Sequence, residues 1–210
     1  MIRPETENTM QEFPATDWRD AIDSLAARRY AVLPAILPAA ASLALQTEAM
    51  TLLRAEAFSP ARVGRGESSL RAASIRGDDL CWLDAGMGAG AAYLRWMEGL
   101  QAELNRELFL GLTEFEAHYA HYPQGAFYQR HVDRHRDSNA RVVSSVFYLN
   151  PDWPAAAGGE LLMHGEEAVL FSVLPQGGTL VLFMSEDMPH EVLPARQERW
   201  SIAGWFRQRP

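Results

Sequence analysis

The sequence predicts a mainly β domain, a sandwich or barrel, with helices supporting it from the N-terminal side. Three observations carry this reading. From Phe115 onward, short apolar and β-branched runs recur about every ten residues, separated by Gly, Pro, Asp and Asn. Before that point the apolar residues fall at helical spacing. The chain's 210 residues, 48% of them hydrophobic, suffice for one well-buried core and are few for two.

Residues 1–15, "MIRPETENTMQEFPA", are polar and unpatterned and read as a loose tail, leaving 16–210 as a single domain. Within it, 16–110 is the helical support and 112–207 the β core. Asp17–Arg29 reads as a helix through Trp18, Ile22, Leu25 and Ala26, Tyr30–Leu33 as a short strand, and Pro38–Ala57 as a second helix. Pro38 is expected in the first turn, where its missing N–H costs little. "RRYAVLPAILPAAASLALQ" has the outline of a signal peptide. It nevertheless starts 27 residues in, carries Pro34 and Pro38, and is shorter than a membrane span. Residues 59–79 form a long loop rich in Gly, Ser and charge, a class usually functional or disordered, before the strand "LCWLD". In "AAYLRWMEGLQAELNREL" (91–108), Leu94, Met97, Leu100 and Leu104 share one helical face. The β segments are "FEAHYAHY", "FYQRHV", "RVVSSVFYLN", "GELLMH", "AVLFSVLP", "TLVLFM", "HEVLP" and "RWSIAGWF".

A net charge of −8 counts against a nucleic-acid binder, which needs a basic surface. All 19 basic residues are Arg, which with abundant Ala suggests a GC-rich, bacterial coding genome. The lone Cys81 rules out an internal disulfide and fits a reducing cytoplasm.

The chemistry concentrates in "YQRHVDRHRDSNARVVSSVFYLN" (128–150). In a strand, residues i and i+2 share a face, so His131 and Asp133 project together. Such a pair is equally a salt-bridged surface turn unless a third ligand joins it. His135 lies in an alternating charge run that reads as solvated loop. His164 ends a strand at a turn and is expected to be exposed. His118 and His121 read as hydrogen-bonded imidazoles of a strand. His190 opens a strand about sixty residues after the pair and follows an apolar run. Two imidazoles and one carboxylate suit non-haem Fe(II), although the set alone also accepts zinc or manganese. Arg199, nine residues further on, can place a forked guanidinium inside the barrel to match a carboxylate such as that of 2-oxoglutarate.

The strings "YPQGAFYQRHVD", "VFYLNPDW", "GGELLM", "MPHEVLPA" and "RWSIAGWF", with "IRGDDLCWLD" upstream, resemble the Fe(II)- and 2-oxoglutarate-dependent prolyl 4-hydroxylases. The likeness covers roughly residues 70–207 and points especially to the branch of the hypoxia-inducible-factor prolyl hydroxylases and their bacterial relatives. It implies a double-stranded β-helix (jelly-roll, cupin-like) barrel with N-terminal helices packed on one sheet. It also implies Fe(II) on His131, Asp133 and His190, with 2-oxoglutarate and O2 as cosubstrates and ascorbate as a stimulant. Arg199 and the Tyr148 phenol would hold the distal carboxylate, although a core aromatic would account equally for Tyr148. Val146 and Leu161 would wall the pocket, and Tyr122 would stand near the iron.

Residues 59–79, rich in Arg, Gly and Ser, then read as a substrate lid suited to gripping a peptide, on which the resemblance implies contacts of Arg76 and Asp78 with Arg141, although plain solvated charges would account equally for them. Tyr128 and Trp205 would line the substrate channel, Trp205 being equally readable as barrel core. The implied reaction is hydroxylation of a prolyl residue in a protein, with 2-oxoglutarate decarboxylated to succinate and CO2. Translation factor Tu is the first candidate partner. The charged "RHRDSNA" and Glu160 depart from the family pattern and leave the partner surface undecided. Two alternatives stay open: a hydroxylase of a free amino acid or small molecule, and a non-catalytic cupin-like metal-binding barrel. Arg199 counts against the second, because a buried guanidinium without an anion is costly.

Overall fold

The computed structural model describes residues 12–61, 74–133 and 140–209. Most of the expected N-terminal tail, residues 62–73 of the expected lid, and the charged stretch with His135 lie outside the described residues.

The chain runs α1 (Arg19–Arg28), β1 (Tyr30–Leu33), α2 (Ala39–Arg54), β2 (Ser59–Pro60), β3 (Asp79–Trp82) and α3 (Ala89–Leu108). Eight strands follow: β4 (Glu114–Tyr122), β5 (Tyr128–His131), β6 (Arg141–Tyr148), β7 (Leu161–His164), β8 (Val169–Val173), β9 (Leu180–Met184), β10 (His190–Val192) and β11 (Arg199–Arg207). Each expected β segment forms a strand, with ends that differ by a few residues. The two-residue β2 carries no pattern in the sequence. Pro38 is not inside the first turn of α2 but caps it in an extended conformation, φ −56° and ψ 146°. The same helix stops at Arg54 rather than Ala57, since Glu56 adopts φ +58° and turns the chain away.

Two antiparallel sheets face each other, one ordered β1-β9-β6-β11-β4-β3-β2 and the other β5-β10-β7-β8. This is the double-stranded β-helix arrangement, and the strand period of two divides its side chains between two cores. On the outer face of the large sheet, Phe147, Leu182, Ile202 and Phe206 pack against Leu25, Tyr93 and Leu104 of the helices. On its inner face, Tyr122, Tyr148, Val181 and Phe183 meet Leu161 and Met163 of the small sheet. No helix among the described residues is long and apolar enough to cross a membrane.

α3 has no capping side chain of its own. Glu48 of α2 supplies the cap, its carboxylate accepting from the backbone N–H of Gly88, Ala89 and Gly90 at 2.7–2.8 Å and from the Tyr119 hydroxyl at 2.8 Å. One anion thereby satisfies orphan donors of α3 and ties both helices to β4.

Candidate active site

β5 and β10 pair antiparallel with His131 directly opposite His190. Cross-strand partners hold their Cβ atoms roughly 5 Å apart, so this register alone brings together imidazoles 59 positions apart in sequence. Asp133 follows β5 and completes the group. Its carboxylate oxygens lie 3.6 Å from His131 Nε2 and 3.8 Å from His190 Nε2, and the three ligand atoms lie within 4.8 Å of one another. His131 Nδ1 donates to the Gln129 carbonyl and His190 Nδ1 to the Met188 carbonyl, both at 2.8 Å. These bonds place the proton on Nδ1 and turn both Nε2 lone pairs towards the centre. Ser144 Oγ donates to Asp133 at 2.7 Å, so Ser185 Oγ, 2.8 Å away, must be the donor to Ser144. Burial opposes ionisation of Asp133, yet His190, His131 and Ser144 together hold its carboxyl well below the usual carboxylate range. Burial also pushes the His190 imidazole down, which keeps its lone pair available.

Arg199 stands opposite Tyr122 of β4, one pleat from the Ser201–Tyr148 pair between β11 and β6. Only 2% of Arg199 is exposed. Its Nε donates to the Gly159 carbonyl at 3.1 Å and Nη1 reaches Ser201 Oγ at 3.4 Å. Gly159, at φ +77°, leaves no room for a Cβ, which would fall 2.8 Å from that of Ala195. No carboxylate among the described residues pairs with Arg199. The buried Tyr148 hydroxyl beside it also has no hydrogen-bond partner there. A buried cation without an anion is strongly unfavourable, so this end of the cleft is built for an anionic guest.

The guanidinium, the triad, Tyr122, Val146 and Leu161 all line one cleft of about 290 Å³. A dicarboxylate keto acid fits this lining, which offers a buried guanidinium together with a candidate metal-ligand triad. The triad's donor set, two imidazoles and one carboxylate, fits Fe(II) with positions left open.

At the mouth, the expected contact of Arg76 and Asp78 with Arg141 is replaced by two separate pairings. Arg76 grips Asp78 bidentately at 2.7 and 2.5 Å. Arg141 instead bonds Glu116 at 3.3 Å and lies 3.6 Å over the Trp205 ring. A bulge decides this. One step on β11, Phe206 to Arg207, spans two on β6, Val143 to Arg141, and the extra Val142 swings Arg141 onto the cleft face. Trp205 and Tyr128 both line the cleft. His164, expected to be exposed, is largely buried and pairs with Glu191 at 2.8 Å, while His121 stacks on Trp200, so neither joins the triad. Sequence reasoning assigned no role to Ser144, Ser185, Ser201 or Gly159. Residues 141–149 alternate in the sequence, which puts Ser144 on the face of Tyr148, and that is the available signal for it.

Residues 117–207 match the 2OG-Fe(II) oxygenase superfamily. A crystal structure of a Pseudomonas putida prolyl-4-hydroxylase is 41% identical, covers 92% of this chain and 100% of its own, and superposes with a TM-score of 0.83. The chain belongs to the 2OG-Fe(II) oxygenase superfamily. A Trichoplax adhaerens prolyl hydroxylase in complex with a hypoxia-inducible-factor peptide is similar to this oxygenase at 26% identity over 90% of the chain and 88% of its own, TM-score 0.81. Human Egl nine homolog 1 is 34% identical over 143 residues, 63% of this chain and 33% of that protein. The oxygenase thus spans about a third of the length of this curated relative. Oxygenases of the family work with Fe(II), 2-oxoglutarate and O2, in agreement with the triad and the anion end of the cleft.

Proposed function

We propose that this oxygenase hydroxylates a prolyl residue of a protein substrate, with 2-oxoglutarate decarboxylated to succinate and CO2. The observation that carries the reading is one cleft lined by a His-Asp-His triad and by a buried Arg199 that no carboxylate among the described residues pairs. The prolyl and protein parts rest on the similarity to the Pseudomonas putida enzyme and to the peptide-bound Trichoplax enzyme.

His131, Asp133 and His190 would hold Fe(II), which when bound supplies the oxygen chemistry that hydroxylates a neighbouring C–H. Arg199 and Tyr148 bind and orient the cosubstrate by its far carboxylate, a charge-assisted contact made strong by burial. Val146 and Leu161 keep water from that chamber, and Tyr122 adds an aromatic face 4.9 Å from the guanidinium. Trp205, Arg141, Arg76 and Tyr128 frame the opening through which a substrate chain must enter. The all-Arg composition and the lone Cys81 support a bacterial cytoplasmic setting, and the resemblance to bacterial relatives makes translation factor Tu the first candidate partner.

The test is succinate formation by purified protein with Fe(II), 2-oxoglutarate and O2, with and without translation factor Tu or a proline-containing protein extract. The expected result is turnover stimulated by protein, with one oxygen atom added to a prolyl residue by mass spectrometry. His131→Ala should abolish it. Arg199→Gln should weaken 2-oxoglutarate binding at least about 30-fold, because losing one partner of a buried charge pair costs roughly 2 kcal/mol or more. Turnover with free proline or another small molecule only would overturn the protein substrate. No succinate under any condition would leave a binding barrel.

A further inference from the structure

We infer that Tyr128 and Arg76 are positioning residues for the iron ligand His131, so that the strap Ser74–Asp78 and the metal site stabilise each other. The inference rests on the proposed iron site and extends it to side chains that touch neither metal nor cosubstrate.

His131 sits on β5, an edge strand of the small sheet, and is the most exposed ligand of the three, its side chain 19% accessible against 11% and 6% for Asp133 and His190. A ligand on a strand edge needs support from outside its sheet. The strap supplies it by lying against the free edge of β5. Gln129 N–H donates to the Ile75 carbonyl at 2.9 Å, Gly77 N–H to the Phe127 carbonyl at 3.0 Å, and Gln129 Nε2 to the Ser74 carbonyl at 2.8 Å. The resulting bridge pairs Arg76 with Tyr128.

The side chains repeat this contact above the backbone. Tyr128 and His131 stack with centroids 3.6 Å apart and planes within 16°. The Arg76 guanidinium lies 4.4 Å from the centre of the same phenol ring. Residues three apart on a regular strand point to opposite faces. Here two steps along β10, from His190 to Val192, span three along β5, from His131 to Tyr128, and this bulge puts Tyr128 and His131 on one face.

The stack has a direction in its energetics. An aromatic face attracts positive charge on both sides, and ligation draws electron density from His131 towards the metal. Metal binding therefore strengthens the His131–Tyr128 contact, while Arg76 occupies the opposite face of Tyr128. Asp78 cancels the charge of Arg76 through its bidentate pair, so long-range repulsion between Arg76 and the metal is small. Whatever steadies the strap must raise metal affinity, and by linkage the metal must steady the strap.

The test uses the full chain with Mn²⁺ and Co²⁺ as redox-stable probes. Isothermal titration gives affinity, the Co²⁺ visible spectrum reports ligand geometry, and amide exchange follows Gly77 and Gln129. Tyr128→Leu should weaken metal binding about 10-fold, the lower end for groups that orient a ligand, and alter the Co²⁺ spectrum. Tyr128→Phe, which keeps the ring and loses the hydroxyl, should restore both. Arg76→Gln, whose amide can still donate to the buried Asp78 carboxylate, should weaken affinity several-fold, and metal should slow exchange at Gly77 and Gln129. Unchanged affinity and spectrum in folded Tyr128→Leu and Arg76→Gln would overturn the positioning role. Absence of metal binding by the unaltered protein would instead overturn the iron site itself, and the inference with it.

Discussion

At Arg199 the structure holds a charge that no described side chain answers, and at His118 it holds a base kept neutral. His118 is 2% exposed, donates Nδ1–H to the Tyr119 carbonyl at 3.1 Å and lies between Trp82 and Trp205. Burial lowers its pKa to about 4, with Arg76 and Arg141 acting in the same direction and Asp78 opposing. Between pH 6.5 and about 4 the unfolded chain therefore takes up a proton that the folded chain refuses. Stability from this residue is complete above pH 6.5 and is lost as pH falls to about 4, by roughly 3 kcal/mol. Urea unfolding of the unaltered protein and His118→Gln at pH 7 and pH 4.5 should show a smaller pH difference in the variant. Equal differences would remove His118 from the account. The sequence identified His118 as a hydrogen-bonded strand imidazole. It could not show its depth, which depends on tryptophans from two other strands.

At the scale of elements, the capping of α3 from α2 carries a clear cost of removal. Glu48→Gln keeps shape but turns an NH2 group towards donors that need an acceptor. The expected loss is about 1–3 kcal/mol, or a melting temperature lower by several degrees, while metal affinity is unaffected. A melt that overlays the parent's would show that water replaces the carboxylate. Nothing in the sequence marks Glu48, since its partners lie 40 or more positions away. The helices and strands were legible because amphipathic period is a local property. The bulges at Val142 and within β5 were not, because a bulge exists only relative to the partner strand.

At the scale of the molecule, the large sheet belongs to both cores, helical on one face and catalytic on the other. Along β1, β4, β6 and β9 the same strand supplies residues to both, so neither core can be lost alone. Unfolding should then be one transition. Trp18 and Trp96 report on the helical core, Trp82 and Trp205 on the cleft, and the intrinsic fluorescence of all should share a midpoint with far-UV circular dichroism. A separated fluorescence phase would mean that the helices come away from an intact barrel.

By itself the sequence determined the elements and the kinds of ligand. It offered two imidazoles, a carboxylate and a guanidinium on strands of one β array, and Ser144 on the face of Tyr148. Tertiary structure decided which groups meet. The register of β5 against β10 put His190 rather than His164 or His121 beside His131, and a bulge gave Arg141 to Trp205 and Glu116 instead of Asp78. Another bulge laid Tyr128 on His131. The physical reason is that side-chain direction along a strand follows from backbone geometry within a few residues. Contact across strands follows from pairings closed over tens of residues, and one extra residue in such a pairing reverses the face on which a side chain lands.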